Sequence, residues 1–87
     1  MYENKRWRKH VLKRFGLDHD PVKQPGACCE VCSTTTDLHL DHDHATGEYR
    51  GLLCGNHNRA LGLLSDDPDT IAALLGYMTR RLFAAAA

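Results

Sequence analysis

The stretch that decides the fold runs from Cys29 to Asn58 and reads CEVCSTTTDLHLDHDHATGEYRGLLCGNHN. It opens with a Cys-x-x-Cys pair and nearly closes with a Cys-x-x-His pair. Structural zinc is held by four tetrahedral sulfur or imidazole ligands, and three cysteines with one histidine are a common set. The spacing therefore predicts one structural zinc ion (Zn²⁺), bound by Cys29, Cys32, Cys54 and His57.

The other interpretations of these cysteines are disulfide bonds or unliganded thiols. No apolar run is long enough for a membrane span or a signal peptide, so we expect a cytoplasmic protein without membrane contact. Cytoplasmic cysteines stay reduced, which favours metal ligation. A chain of 87 residues is also small enough that a bound metal adds needed folding energy. Cys28 is left over, and we expect it to be a partly buried small residue.

Between the two ligand pairs, the pattern indicates a hairpin followed by a helix. Leu38–His42 alternates apolar and polar residues as a half-buried strand does, Thr46-Gly47 suits a turn, and Tyr49–Cys54 suits the returning strand. Residues 55–64 then follow a helical pattern. A strand end or a bulge after Asp41 would break the alternation and bring neighbouring polar side chains together.

Helices are predicted on both sides of this core. Apolar residues recur at helical spacing within residues 2–15, and residues 17–27 read as a loop. Residues 65–68, Ser-Asp-Asp-Pro, are typical of a helix start, with Asp67 as the cap. The apolar residues that follow at helical spacing indicate either core packing or the seam of a homodimer, and they are Ile71, Leu74, Leu75, Met78 and Leu82.

Together these patterns predict a small, zinc-bound α+β fold. A basic helix and its linker would occupy residues 1–25, and the zinc-stapled core would occupy residues 26–65. An amphipathic helix with a short tail would fill residues 66–87.

The net charge is zero, but it is unevenly distributed. Residues 1–16 hold six basic residues and one acidic residue, whereas the rest of the chain holds five basic and ten acidic ones. This polarity favours a basic arm for an anionic partner, although a solvated helix face would look the same. Basic side chains along phosphates give affinity without reading sequence. The candidate DNA contacts are Lys5, Arg6, Arg8, Lys9, Lys13 and Arg14, with Arg50 and Arg59 nearer the hairpin.

The run from His39 to His44 alternates imidazole and carboxylate in a way that suits phosphodiester hydrolysis. That reaction needs a base for the attacking water and a cation to neutralise charge at the phosphate. An imidazole suits the base, and a carboxylate with an amide oxygen suits a hard divalent ion such as Mg²⁺. His42 is therefore the candidate base, with Asp41 and Asn58 as candidate metal ligands. A structural hydrogen-bond network and a second zinc site are the alternatives.

Four segments together resemble one known family. They are the Cys29–Cys32 pair, the DHDHATG run within Leu40–Gly47, the RGLLC run of Arg50–Cys54, and the segment Asn58–Gly62. As a set they are similar to the recombination endonuclease VII branch of the HNH nucleases. The resemblance implies a ββα-metal (HNH) core and a DNA endonuclease.

The resemblance also implies the roles of individual residues. Asp41 and Asn58 would bind Mg²⁺ or Mn²⁺, His42 would be the general base, and His44 would assist near the scissile phosphate. The family pattern has a cysteine where this chain has His57, a change that zinc tolerates. The family is common in bacteriophages, which implies a phage origin and the host-cell cytoplasm.

Two other functions stay open on the sequence alone. One is a zinc-dependent nucleic-acid-binding module without catalytic activity, and the other is a zinc-folded protein-interaction domain. The acid–histidine run with Asn58 favours the nuclease, because a pure binding module needs no such cluster. No segment resembles a base-reading helix, so we expect weak sequence preference, with branched DNA such as Holliday junctions among the substrates that the resemblance implies.

Overall fold

Two antiparallel strands and three α-helices form the part of the chain that the computed structural model describes, which is residues 5–86, with the side chains of residues 6–80. The predicted α+β class is therefore confirmed. Residues 2–4 of the predicted first helix, Ala87, and the side chains of Lys5 and Leu82 lie outside the described part. In chain order, the elements are α1 (Lys5–Arg14), a 3₁₀ turn (Pro21–Lys23), β1 (Leu38–His42), β2 (Tyr49–Cys54), α2 (Gly55–Leu63) and α3 (Pro68–Ala86).

The pairing of β1 with β2 contains one irregularity. Asp41 pairs with Gly51, but the next residue, His42, pairs with Tyr49, so Arg50 is an extra residue in β2. A bulge of this kind bends the strand and re-aims the side chain of the extra residue. From the sequence, a strand end or a bulge after Asp41 is a condition under which neighbouring polar side chains would come together. The structure has a bulge at this point, and its extra residue lies on the facing strand.

The loop of the hairpin is held by Asp43. Its carboxylate accepts hydrogen bonds from the backbone N–H groups of Ala45 at 2.8 Å and Thr46 at 3.2 Å. Gly47 closes the loop with a φ of +79°, a conformation that glycine adopts without steric cost. Asp43 therefore serves the turn, which leaves Asp41 as the acid on the strand itself.

The core is small and is built around the predicted metal ligands. Its buried apolar residues, among those described, are Cys29, Leu52, Leu53 and Cys54. Leu38 and Leu61 pack against this cluster from β1 and α2. Helix α2 begins directly after Cys54 and packs against both strands. The helix, the hairpin and the first ligand pair therefore meet where the metal is expected.

Helix α1 is tied to the core by an ion pair and an aromatic contact. Arg8 donates through Nε and Nη2 to the carboxylate of Asp20, at 2.8 and 2.7 Å. Phe15, one residue beyond the helix, has its ring centroid 5.5 Å from that of His42 and 6.1 Å from that of Tyr49. The basic helix is thereby placed beside the hairpin.

The turn between α2 and α3 contains two consecutive residues with a positive φ. They are Ser65 at +57° and Asp66 at +54°, a conformation that costs residues other than glycine about 1 kcal/mol each. Asp67 then caps α3, because its carboxylate accepts from the N–H of Asp69 at 3.2 Å and the hydroxyl of Thr70 at 2.7 Å. The predicted helix start is confirmed.

Three apolar side chains of the predicted stripe on α3 are exposed to solvent. Leu74 is 44 % exposed, Leu75 62 % and Met78 66 %. Core packing, one of the two interpretations of this stripe, is therefore wrong for these residues. The physical reason is that α3 extends beyond the small core, in a molecule with principal extents of 56 × 28 × 22 Å. Among the described residues, no helix has both the length and the apolar content needed to cross a membrane.

Candidate metal centre and the adjoining acidic site

Four side chains converge at the base of the hairpin. One ligand atom from each of Cys29, Cys32, Cys54 and His57 lies within 4.8 Å of all the others. The sulfurs of Cys32 and Cys54 are 3.8 Å apart, and His57 Nδ1 lies 3.2 Å from Cys54 Sγ and 3.7 Å from Cys29 Sγ. Tetrahedral zinc needs sulfurs about 3.8 Å apart and a nitrogen about 3.5 to 3.6 Å from each sulfur. The cluster can therefore bind zinc, as predicted, and Cys28 is not part of it.

The Cys29–Cys32 pair lies in a tight turn whose backbone donates a hydrogen bond to the sulfur of Cys29. The backbone N–H of Val31 donates to Cys29 Sγ at 3.4 Å, and the N–H of Ser33 donates to the Cys29 carbonyl at 2.9 Å. Burial opposes the charged form of the Cys29 thiol, but hydrogen bonds from backbone groups and from His57 outweigh it and lower the pKa of Cys29 to about 6. The thiolate is the form that binds metal. The fold therefore favours the ligating state.

Asp41 is a buried polar residue next to the bulge, and it is only 6 % exposed. Arg50 Nε donates to Asp41 Oδ2 at 2.7 Å, and Arg50 Nη2 donates to Asp41 Oδ1 at 3.2 Å. Arg50 also donates to Asp66, through Nη2 at 2.7 Å and Nη1 at 3.3 Å. One guanidinium is thus shared by two carboxylates, and the group of three carries a net negative charge. Hydrogen bonds to Arg50 lower the pKa of Asp66 to about 2.

An open cavity of about 270 Å³ adjoins Asp41. Glu30, Arg50 and Gly51 line it with Asp41, and the Glu30 carboxylate occupies the place where a Cβ at position 51 would lie. Burial raises the pKa of Tyr49, and the negative charges of Glu30, Asp20 and Asp41 raise it further. A cavity in a negative field attracts cations.

His42 and His44 lie together on this part of the hairpin. Their ring centroids are 4.7 Å apart and their planes are inclined by 55°. His42 is half-buried against Phe15. His44 is exposed, and its Nδ1 lies 3.4 Å from Asp66 Oδ2. The two imidazoles therefore share one side of the hairpin, as the alternation predicts.

Asn58 lies on α2, one residue after the zinc-ligand candidate His57, and it is half-buried. Among the described residues, its side-chain amide has no hydrogen-bond partner. The packing of α2 on both strands holds the helix that carries Asn58 against the hairpin that carries Asp41. The convergence of these two residues on one cation stays a prediction.

Most of the predicted DNA contacts lie along α1. Arg6, Lys9 and Lys13 line one open groove of about 480 Å³. Arg14 is exposed at the last position of the helix. Lys5 is the first residue of α1, and its side chain lies outside the described part of the chain. The groove places three basic side chains where a phosphate backbone can reach them.

Three other arginines have partners on the protein. The guanidinium of Arg8 is held by Asp20, and that of Arg50 is held by two carboxylates as described above. Arg59 is exposed and donates from Nη2 to Asn56 Oδ1 at 2.7 Å. DNA contact by these three residues stays a prediction, and for Arg8 and Arg50 the ion pairs give each side chain a role within the protein.

Two residues of the site were not found from the sequence. Asp66 is interpreted there only as part of a helix start, yet it contacts Arg50 and His44. The available signal is the presence of two acids in Ser-Asp-Asp-Pro, because one carboxylate suffices for the cap and Asp66 is left over. Phe15 is assigned to the apolar face of the first helix, and helical spacing carries no information about which ring it meets across the fold.

The fold and the site define a class of protein: a small α+β chain in which a Cys/His cluster ties an acidic, histidine-bearing hairpin to a helix. The model of the recombination endonuclease VII family matches residues 6–80. The chain belongs to this family. The matched range extends over nearly all of α1 and most of α3, beyond the hairpin and α2.

The chain is also similar to the Gene 59 protein of Mycobacterium phage L5. The two are 34 % identical over 61 residues, which cover 61 % of this chain and 37 % of the phage protein. The chain therefore spans well under half the length of that relative. No solved structure matches the chain. The family assignment thus rests on the family model and agrees with the phage relative.

Proposed function

We propose that the chain is a metal-dependent DNA endonuclease of the HNH type that hydrolyses phosphodiester bonds. The observation that carries the proposal is the buried carboxylate of Asp41 at the hairpin bulge, with the rings of His42 and His44 beside each other on the same hairpin. A buried carboxylate at a bulge and imidazoles on the same hairpin are groups that cation-assisted hydrolysis uses. Membership of the endonuclease VII family supports this assignment.

In this proposal, His42 is the general base that takes a proton from the attacking water. A base must hold one orientation relative to the water, and the contact with Phe15 restrains the ring of His42. His44 assists near the scissile phosphate. Its imidazole is 60 % exposed, so DNA can approach it.

Asp41 and Asn58 would hold the catalytic cation, Mg²⁺ or Mn²⁺, which neutralises charge on the phosphate and on the leaving oxygen when bound. A carboxylate and an amide oxygen are the ligands that such hard cations prefer. The free amide of Asn58 and the negative field around Asp41, both described above, support this pairing.

The zinc ion is proposed to be structural. Four protein ligands, Cys29, Cys32, Cys54 and His57, leave no open coordination position for a substrate. The ion joins the first ligand turn to the end of β2 and the start of α2. The nuclease core would thus occupy residues 26–65, between the basic segment 1–25 and the α3 segment 66–87.

The proposed substrate is DNA, held mainly through phosphates. The basic groove along α1 supports this, and phosphate contacts give weak sequence preference. Branched DNA, including Holliday junctions, belongs to the proposed substrate range. We further propose a cytoplasmic location, that of the host cell for a phage protein.

Homodimerisation through α3 is a separate part of the proposal. Its support is the exposed apolar stripe of Leu74, Leu75 and Met78, a kind of surface that often marks an interaction site. Light scattering on the purified chain measures the mass directly. A monomer at all concentrations up to those used in the cleavage assay contradicts the dimer and leaves the nuclease proposal intact.

The second candidate function is a zinc-dependent nucleic-acid-binding module without catalysis. The ion pair between Asp41 and Arg50 favours it, because the guanidinium occupies the carboxylate that the cation needs. The basic groove serves both functions equally. Cleavage, and not DNA affinity, therefore discriminates between them.

The deciding experiment is nicking of supercoiled plasmid by zinc-loaded protein with added Mg²⁺ or Mn²⁺. We expect nicking that depends on the added cation, and the His42→Ala variant should be slower by about 10²-fold or more while its fold survives. His19→Ala is the matched control, because His19 is exposed and its imidazole contacts the neighbouring Asp18, outside the proposed site. Zinc content is measured in parallel, so that unfolding through loss of zinc is not mistaken for loss of the general base His42.

Two outcomes would count against the proposal. Intact supercoiled, linear and branched DNA under all conditions, with protein that is folded and holds zinc, would favour the binding module. Equal nicking by His42→Ala and wild type would remove His42 from the mechanism.

A further inference from the structure

We propose that Asp66 is a positioning residue of the nuclease site, acting on Asp41 through the guanidinium of Arg50 and on His44 by direct contact. The inference rests on the proposed function and adds to it a residue outside the hairpin and α2. Asp66 lies in the turn before α3 and reaches back across 16 residues to Arg50. Its side chain is only 14 % exposed.

The distances around Arg50 show how Asp66 acts on Asp41. Arg50 Nη2 faces one oxygen of each carboxylate, at 2.7 Å from Asp66 Oδ1 and 3.2 Å from Asp41 Oδ1. The shared nitrogen thus lies closer to Asp66. Asp41 keeps one short hydrogen bond, at Oδ2, while its Oδ1 is only weakly engaged. Asp66 therefore holds part of the guanidinium away from the oxygen that a cation would take.

Charge leads to the same conclusion. Asp41 and Arg50 alone would neutralise each other, whereas the addition of Asp66 leaves one negative charge in the group. A divalent cation is attracted to the negatively charged group more strongly than to a neutral pair. Removal of the Asp66 charge should therefore weaken cation binding.

The contact with His44 adds a second link. Asp66 Oδ2 lies 3.4 Å from His44 Nδ1 and also accepts from Arg50 Nη1 at 3.3 Å. A carboxylate beside one ring nitrogen orients the imidazole and leaves the other nitrogen for the substrate. One side chain thereby restrains two residues of the site.

The backbone conformation of this turn directs the carboxylate of Asp66 toward Arg50 and His44. Ser65 and Asp66 both adopt a positive φ, and the N–H of Asp66 donates to the carbonyl of Leu61 at 2.8 Å. The cap of α3 does not need this carboxylate, because Asp67 supplies the cap. The carboxylate of Asp66 is therefore not needed to cap α3, and it contacts Arg50 and His44 instead.

The test compares Asp66→Asn with Asp67→Asn in the zinc-loaded full chain. Each variant removes one negative charge at neighbouring positions, and asparagine tolerates a positive φ as well as the cap position. The Mn²⁺ concentration for half-maximal plasmid nicking should rise by about tenfold or more in Asp66→Asn. In Asp67→Asn it should stay within about twofold of wild type, because the carboxylate of Asp67 is used for the cap, through Asp69 and Thr70.

Asp66→Gly is the second variant, since glycine adopts the φ of +54° at no steric cost. It should show the same rise in Mn²⁺ requirement with unchanged zinc content and melting temperature. In an Arg50→Gln background, Asp66→Asn should raise the Mn²⁺ requirement by less than it does in wild type, because the link through the guanidinium is already lost and the contact with His44 remains.

The outcomes separate this inference from the function on which it rests. If the wild-type protein does not nick DNA, the proposed function itself is contradicted. Nicking by wild type with an unchanged Mn²⁺ requirement in Asp66→Asn overturns the inference alone. Loss of zinc or of the melting transition in both Asp66 variants would make Asp66 a structural residue and would overturn it as well.

Discussion

Replacement of Cys54 by serine removes one of the four proposed zinc ligands from the centre of the core. Cys54 is the last residue of β2 and directly precedes α2, so its sulfur joins the hairpin to the helix. It is 5 % exposed and belongs to the buried cluster with Cys29 and Leu53. A serine hydroxyl stays protonated at neutral pH and is a poor ligand for zinc, so the variant should lose the ion.

The size of the effect follows from the small core. A structural zinc ion contributes about 10 to 16 kcal/mol of apparent binding energy, which is folding energy when the site forms only on folding. A domain of this length has a net stability of about 4 to 13 kcal/mol. Two of the four buried apolar residues in the described part of the chain, Cys29 and Cys54, are themselves proposed zinc ligands, so little other core is left to compensate. We therefore expect Cys54→Ser to be unfolded at 25 °C.

Circular dichroism melting with zinc quantification checks this expectation. Cys28→Ser is the matched control, because Cys28 is a half-buried cysteine outside the cluster and should keep both zinc and the melting transition. A Cys54→Ser protein that melts cooperatively without zinc would refute the argument that the metal holds the fold together.

Two further predictions concern α1. Asp20→Asn should cost about 1–2 kcal/mol at neutral pH in chemical denaturation, and exposed Asp18→Asn should cost nothing measurable. Arg8 holds the pKa of Asp20 below its ordinary value of 3.8, so this stabilisation is present above that pH and is lost as the pH falls through the lowered pKa. Wild type and Asp20→Asn are compared at equal pH, and a gap that widens on acidification would contradict the sign. Phe15→Ala should slow nicking and cost about 1 kcal/mol through the lost ring contacts, with Phe15→Tyr close to wild type, and unchanged nicking would show that the ring does not restrain His42.

The metal cluster and the hairpin could be predicted from the sequence because their determinants are local. A Cys-x-x-Cys or Cys-x-x-His pair fixes its own spacing, and the alternation of Leu38–His42 is visible residue by residue. The cap at Asp67 is equally local. The structure confirms all of these elements.

The contacts that complete the acidic site could not be predicted because they join distant segments. The pairing of Arg50 with Asp66 depends on the bulge in β2 and on the left-handed turn before α3, and the sequence shows neither which strand carries the extra residue nor that Asp66 faces Arg50. The stripe on α3 was ambiguous for a related reason. Periodicity shows that Leu75 and Met78 share a face, but the size of the core decides whether that face is covered.

Anomalous diffraction from a crystal grown with Mn²⁺ distinguishes the two proposed metal sites, since it locates each metal by its own absorption edge. We expect zinc among Cys29, Cys32, Cys54 and His57, and manganese bound by Asp41 and Asn58. Zinc in its place with no manganese at Asp41, in crystals of protein that nicks DNA, would contradict the proposed catalytic centre.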